Sequence, residues 1–182
     1  DNEHRHRIWA SEVKSDGELI DSWRQFKVAN SIEVNGVHGG INRLITFRDQ
    51  LFFYQDKAMG IASIDKEALI TDEFGTQLSL GEGRVIDYGY ISQNTGCFHQ
   101  WGVISSEYGI YHFDVRLKKL FKYSQEGLTA LSDIKGFGSY FNENINGNIL
   151  SNDKTIEGIG IETTWDNKNN RVLFTLLDHK KL

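Results

Sequence analysis

From residue 38 onward, apolar and polar positions fall into short runs, each closed by a polar turn. Leu44-Ile45-Thr46-Phe47 meets the turn Arg48-Asp49-Gln50, then come Leu51-Phe52-Phe53-Tyr54 and Met59-Gly60-Ile61-Ala62-Ser63-Ile64. This pattern predicts a meander of three strands. A second unit runs from Trp101 to Ser105, turns at Ser106-Glu107-Tyr108-Gly109, continues through Ile110-Tyr111-His112-Phe113-Asp114 and returns as Lys119-Leu120-Phe121-Lys122-Tyr123. A third begins at Gly158-Ile159-Gly160-Ile161, reaches Trp165, turns through residues 166–170 and returns as Arg171-Val172-Leu173-Phe174-Thr175-Leu176.

The strand starts Leu44, Val103 and Ile161 are spaced by 59 and 58 residues, a weak internal period. It is longer than the roughly 40 to 50 residues of common propeller blades, so long connections between units are expected. A meander of three or four short strands cannot bury both faces by itself, so each unit must pack on its neighbour. The expected fold is all-β, with antiparallel meanders arranged as blades of a partial β-propeller; a β-sandwich is the alternative. Residues 1–37 read as an N-terminal extension and residues 38–182 as about three blade-like units. Propellers typically have 4 to 8 blades, so three units imply an unclosed ring, open at Leu182. Residues 64–69 and 127–132 read as single helical turns, too short to be stable without packing. Residues 136–144 read as a loop rich in aromatics and glycine.

Composition supports the β reading. The 182 residues contain no proline and 18 glycines, so turns fall to Gly, Asn and Asp, as at Asn35-Gly36, Gly39-Gly40, Asn94-Thr95-Gly96 and Asn146-Gly147. A net charge of −5 argues against a polyanion-binding surface, and no nucleic-acid site is evident. No apolar run approaches the roughly 20 residues that span a bilayer. Cys97 is the only cysteine, which excludes an intrachain disulfide and a multi-cysteine zinc cage. The chain begins at Asp1 with a polar stretch, and the expectation is a piece of something longer.

Several clusters resemble chemical sites. His4-Arg5-His6-Arg7 has the alternation of a metal or phosphate patch, but a loose polar terminus is the expected state. Asn142, Asn144 and Asn146, with Asp153 eleven residues after Asn142, mimic the spacing of a calcium loop. Neutral Asn at the first position and Asp where a bidentate Glu is expected remove most of the charge that would hold the ion. Glu107, His112 and Asp114 could suggest acid/base work, and Ser105 or Ser106 could be paired with His99 or His112. No spacing motif supports either, and solvent-facing polar residues in a hairpin are expected. Gly81-Glu82-Gly83 lacks the third glycine of a phosphate-binding loop, because Ile86 stands in its place. Trp9, Trp23, Trp101 and Trp165, with Tyr88, Tyr90, Tyr108 and Tyr111, could form a sugar platform, though packing between strands is expected. The order Thr163-Thr164-Trp165-Asp166 does not match the sialidase box. Lys118, Lys119 and Lys122, and Lys180 and Lys181, read as solvated strand edges. No residue is assigned to catalysis, a cofactor or a metal.

The stretch Asp21-Ser22-Trp23-Arg24-Gln25-Phe26-Lys27-Val28-Ala29-Asn30, then Ile32 to Gly36, then Gly40-Ile41-Asn42-Arg43-Leu44 through Gln55-Asp56 resembles the tail stabilization, or muzzle, proteins of crAss-like bacteriophages. Gly60 to Ile64, Leu69 to Glu73, Leu78 to Gly81, Tyr108 to Asp114 and Gly160 to Asp166 extend the resemblance over residues 21–176. It implies a non-enzymatic virion component of the phage tail, made in the bacterial host cytoplasm and containing a β-propeller region. The implied partners are other tail proteins and copies of itself. A carbohydrate- or receptor-binding propeller module, using residues 137–141 and Trp101, is the alternative. The resemblance concerns strand and turn residues, so it carries no functional site with it.

Overall fold

The computed structural model describes residues 4–13, 17, 19, 21–65, 68–71, 77–80, 84–145 and 147–178. Strands β1 (Arg7–Trp9) and β2 (Ser31–Glu33) form an antiparallel ribbon. Strands β3 (Ile41–Phe47), β4 (Gln50–Gln55) and β5 (Met59–Ile64) follow as a meander. A separate hairpin of β6 (Ala68–Thr71) and β7 (Gln77–Leu80) interrupts it before β8 (Val85–Ser92) completes the first four-stranded sheet in the order β3-β4-β5-β8. Strands β9 (Val103–Ser106), β10 (Gly109–Asp114), β11 (Lys119–Ser124) and β12 (Gly127–Ala130) make the second sheet, each strand pairing with the next. Helices α1 (Leu131–Lys135) and α2 (Gly138–Asn144) lead to the third sheet, the hairpin of β13 (Ile159–Asp166) and β14 (Arg171–Asp178).

The all-β expectation holds. The strands that open the three units, β3, β9 and β13, meet in sequence: β9 packs against both β3 and β13. The second strand of each four-stranded sheet is its most buried. In β4 the period of two sends Phe52 and Tyr54 toward the second sheet, where they join Met59, Cys97, Val103 and Ile110 in one buried cluster. Phe53 points the other way, into a cluster with Ala62, Val85 and the ribbon residues Ile8 and Val34. In β10, Ile110 faces the first sheet, while Phe113 joins Val115, Ile145, Ile149 and Ile161 against the third. Burying one such side chain contributes roughly 1.5–3 kcal/mol, so most of the stability lies in the seams between sheets.

Close approach dictates glycine at residue 60. A Cβ on Gly60 would meet the Phe53 ring and, at 2.6 Å, the Gly89 carbonyl. Phe53 therefore crosses β5 at Gly60 and reaches Tyr90 of β8 edge-to-face, with centroids 5.7 Å apart.

Four expectations are corrected. Residues 68–71 and 127–130 are strand, not helix; of the second segment only Leu131 onward turns helical. Residues 138–144 form α2 rather than a loop, and the contact that anchors it is the half-buried Phe141 closing edge-on to Phe113 with centroids 4.8 Å apart. The N-terminal His-Arg run is pinned, not loose: Glu33 pairs with His6 at 2.8 Å and Arg7 at 2.7 Å, and Ile41 N donates to Arg5 O at 2.7 Å. Lys119 and Lys122 lie on β11, inside the second sheet rather than on its edge. Lys180, Lys181, Asn146 and residues 81–83 lie outside the described residues.

Candidate functional site

The seam between the first two sheets carries a buried line of polar side chains. Alternation along β10 sets Ile110, His112 and Asp114 on the face toward the first sheet. The loop of residues 93–97 is drawn over the end of that face by Cys97 N donating to Gln55 O at 2.9 Å. Gly96 permits this approach, since a Cβ there would strike Gln55 O and come within 2.5 Å of Ala58 N. Thr95 is thereby placed between His112 and Asp114: its Oγ1 is 3.2 Å from His112 Nε2 and 3.0 Å from Asp114 Oδ2.

The donor arithmetic fixes the proton positions along this line. Thr95 has one hydroxyl hydrogen, and it goes to the Asp114 carboxylate. His112 Nε2 must then donate to Thr95, which leaves Nδ1 to accept from the Tyr54 hydroxyl at 3.4 Å. The result is a one-way chain, Tyr54 to His112 to Thr95 to Asp114, with His112 neutral. Burial lowers the His112 pKa from 6.5 to about 3. Burial likewise raises the Tyr54 phenol well above its ordinary value, with Cys97 and Tyr123 adding to it. Asp114 also accepts from Gly96 N at 3.2 Å and Leu117 N at 3.0 Å. Cys97 is closed in beside it, its Sγ 3.1 Å from His99 O, and burial pushes its thiol up.

Other polar links act at other heights. Within the first unit, Gln55 Nε2 donates to Gly39 O at 2.7 Å and its Oε1 accepts from the Tyr90 hydroxyl at 2.8 Å. His99 Nε2 donates to Ile149 O at 2.9 Å, and Asp153 accepts from Gln100 N at 2.9 Å while facing His99 Nδ1. Trp101 joins all three opening strands: the Arg43 guanidinium of β3 lies 4.8 Å over its ring, and Thr163 of β13 donates to its carbonyl at 2.8 Å, just before β9.

The candidates read from sequence are sorted by this geometry. His112 and Asp114 come together, but through Thr95, which no spacing argument singled out. Both are buried, at 0% and 1% exposure, so the expectation that they face solvent is corrected. Glu107 lies in the exposed β9–β10 turn and takes no part. Ser106 Oγ stabilises that same turn, accepting from Tyr108 N at 3.1 Å, and Ser105 sits opposite Ile110 in the ladder; neither touches a histidine. Asn142 and Asn144 lie on α2, where Asn144 caps back to Tyr140 O, and Asp153 is committed to His99 and Gln100. Among the described residues, no three His, Cys, Asp or Glu side chains gather closely enough to hold a metal ion.

The aromatic residues divide. Tyr88 and Tyr90 pack with Phe53 under the ribbon. Trp101 is half exposed with one face covered by Arg43. Tyr108 meets Trp165 edge-to-face at 70°, so these two rings give no flat platform. They help line a groove of about 410 Å³ between the second and third sheets, together with Tyr140, Phe141 and Phe174.

The geometry defines a module of antiparallel sheets locked face to face, with its most perturbed groups sealed inside a seam. The chain belongs to the Crassvirus muzzle protein family, whose profile matches residues 1–181. It is 27% identical over 173 residues to the muzzle protein of Bacteroides phage crAss001. That alignment covers 94% of this chain and 12% of the relative, so the chain spans a small part of the relative's length. The coarse class is thus a bacteriophage structural protein. Among the described residues, no helix is long and apolar enough to cross a membrane.

Proposed function

We propose that this chain is a section of a virion protein of the phage tail, of the tail-stabilising muzzle type, which acts through protein–protein contacts and is not an enzyme. The observation that carries the reading is the sealed polar line. Tyr54, His112, Thr95 and Asp114 are arranged as in a proton relay, yet all four are buried between two sheets where no substrate reaches them. Their hydrogen bonds fix how one sheet sits on the next, which is the demand on a rigid scaffold. The successive contacts of β3, β9 and β13 support the finer reading that the units are blades of a partial propeller. Copies of the protein around the tail axis, in contact with other tail proteins, complete the proposed assembly.

Labelling purified virions with an antibody raised against this chain, viewed by electron microscopy, tests the assignment. Label confined to the tail is expected. Label on the capsid shell, or protein found only in lysate and never in particles, overturns it.

A further inference from the structure

Among the described residues the third sheet has two strands, and the edge beside β14 has a definite shape. In the first and second sheets, the apolar second strand is flanked on both edges: β4 by β3 and β5, β10 by β9 and β11. Strand β14 holds the same place in the third unit, following β13 as β4 follows β3. Among the described residues, only β13 pairs with it. Its composition is that of an inner strand. Val172, Phe174 and Leu176 point to one face, and Leu173 and Leu177 to the other, without the lysines or bulge that guard a natural edge.

A second observation lies beside that edge. In the closed seam, Ile61 and Ile91 from the third and fourth strands of the first sheet pack on the same core as Tyr123 and Leu128 from the third and fourth strands of the second. In the next seam the corresponding space is the 410 Å³ groove, where Leu120, Leu131, Phe137 and Tyr140 face Val172 and Phe174 across a gap. An open edge and an adjoining apolar groove are what removal of one strand from the first seam would leave.

We propose that the free edge of β14 receives an antiparallel strand with apolar residues at alternate positions. Backbone hydrogen bonds hold it to β14, and its apolar face fills the groove against Leu120 and Tyr140. The occupant is a segment of a muzzle polypeptide outside these 182 residues; the crAss001 relative, of which the alignment covers 12%, shows that chains of this family have such length. The two complete sheets of the same chain are the precedents. The inference rests on the blade reading but not on the position in the particle.

Hydrogen exchange of β14, read by mass spectrometry, tests it in two samples: the 182-residue chain alone, and the polypeptide as the phage makes it, isolated from virions. The amides of β14 that point away from β13 should exchange freely in the first. They should be protected about 100-fold or more in the second, as in a paired inner strand. Fast exchange in both samples overturns the proposal. Protection already present in the 182-residue chain also overturns it, and protection that grows with concentration would assign the edge to a second copy instead. Exchange reports the edge wherever the protein sits in the virion, so its failure is distinct from a failure of the tail assignment.

Discussion

Asp114 and Asp166 open turns of the same design and end in opposite situations. Each pairs across four intervening residues, with Lys119 and Arg171 respectively. Each accepts at Oδ1 from the backbone N–H three residues on, Leu117 at 3.0 Å and Asn169 at 3.2 Å. Each turn ends on a non-glycine residue of positive φ, Lys118 at 53° and Asn170 at 51°. Asp114, however, closes a strand packed on both faces, and its other oxygen takes Thr95 and Gly96 inside the seam, with Arg116 of its own turn only at 3.5 Å. Asp166 sits at a hairpin tip, and its other oxygen takes Asn169 and Arg171 from its own turn. Local chemistry decides that a turn forms; the neighbouring sheet decides how much it matters.

The largest expected contrast appears on acidification. His112 is neutral and buried in the fold, with a pKa of about 3 against 6.5 when free. Below 6.5 the unfolded chain binds a proton that the folded chain refuses, so stability is full above 6.5 and falls progressively toward pH 3. At 1.36 kcal/mol per pH unit the loss approaches roughly 4–5 kcal/mol at the bottom of that window. Denaturant titrations across this range should show that slope, and His112→Phe should flatten it. An unchanged slope in the variant would mean that the seam does not control acid stability.

Next in size is the seam carboxylate itself. Asp114→Ala leaves the Thr95 hydroxyl and the N–H groups of Gly96 and Leu117 without their buried acceptor, and should cost about 3 kcal/mol or more. Gly96→Ala attacks the same seam through the backbone, forcing the loop off Gln55 and Ala58. It should cost about 2 kcal/mol. Both are read from the shift in denaturation midpoint at pH 7. If Asp114→Ala cost no more than a surface substitution, the distinction between the two turns would collapse.

A gain is expected where a turn is strained and its side chains reach the sheet only through Arg48 over the Phe47 ring. Arg48 and Asp49 hold positive φ in the β3–β4 hairpin, a geometry that suits Asn-Gly. Replacing the pair by Asn-Gly should raise stability by about 1 kcal/mol.

The strand-turn pattern was legible because it is local. The opening strands at residues 44, 103 and 161 and the polar turns between them follow from period and turn residues alone. Strand β8 was missed because its burial comes from tertiary packing alone: Val85, Tyr88 and Tyr90 join the Phe53 cluster while Ile91 turns to the seam. Helix α2 was missed because a glycine and two aromatics disguise a segment anchored by Phe113 beneath it. The polar line was illegible for a stronger reason. His112 and Asp114 are visible as a pair, but Thr95 and Tyr54 lie in other elements, and only the packing of two sheets aligns the four.

The smallest effect belongs to Asp166, and it tests the comparison from its weak side. The Asn169 amide and Arg171 hold its carboxyl below the ordinary value of 3.8, at a partly exposed hairpin tip. A lowered carboxyl supports the fold above its unfolded pKa, and that support fades as pH falls through the folded value. Exposed pairs of this kind contribute little, so Asp166→Asn should shift the melting temperature at pH 7 by no more than about 2 °C. The shift should vanish once both states are protonated, below the carboxylate range. A loss at Asp166 as large as that at Asp114 would show that hairpin tip, too, to be clamped from outside, and the face it clamps would have to be sought next to Trp165 and Tyr108.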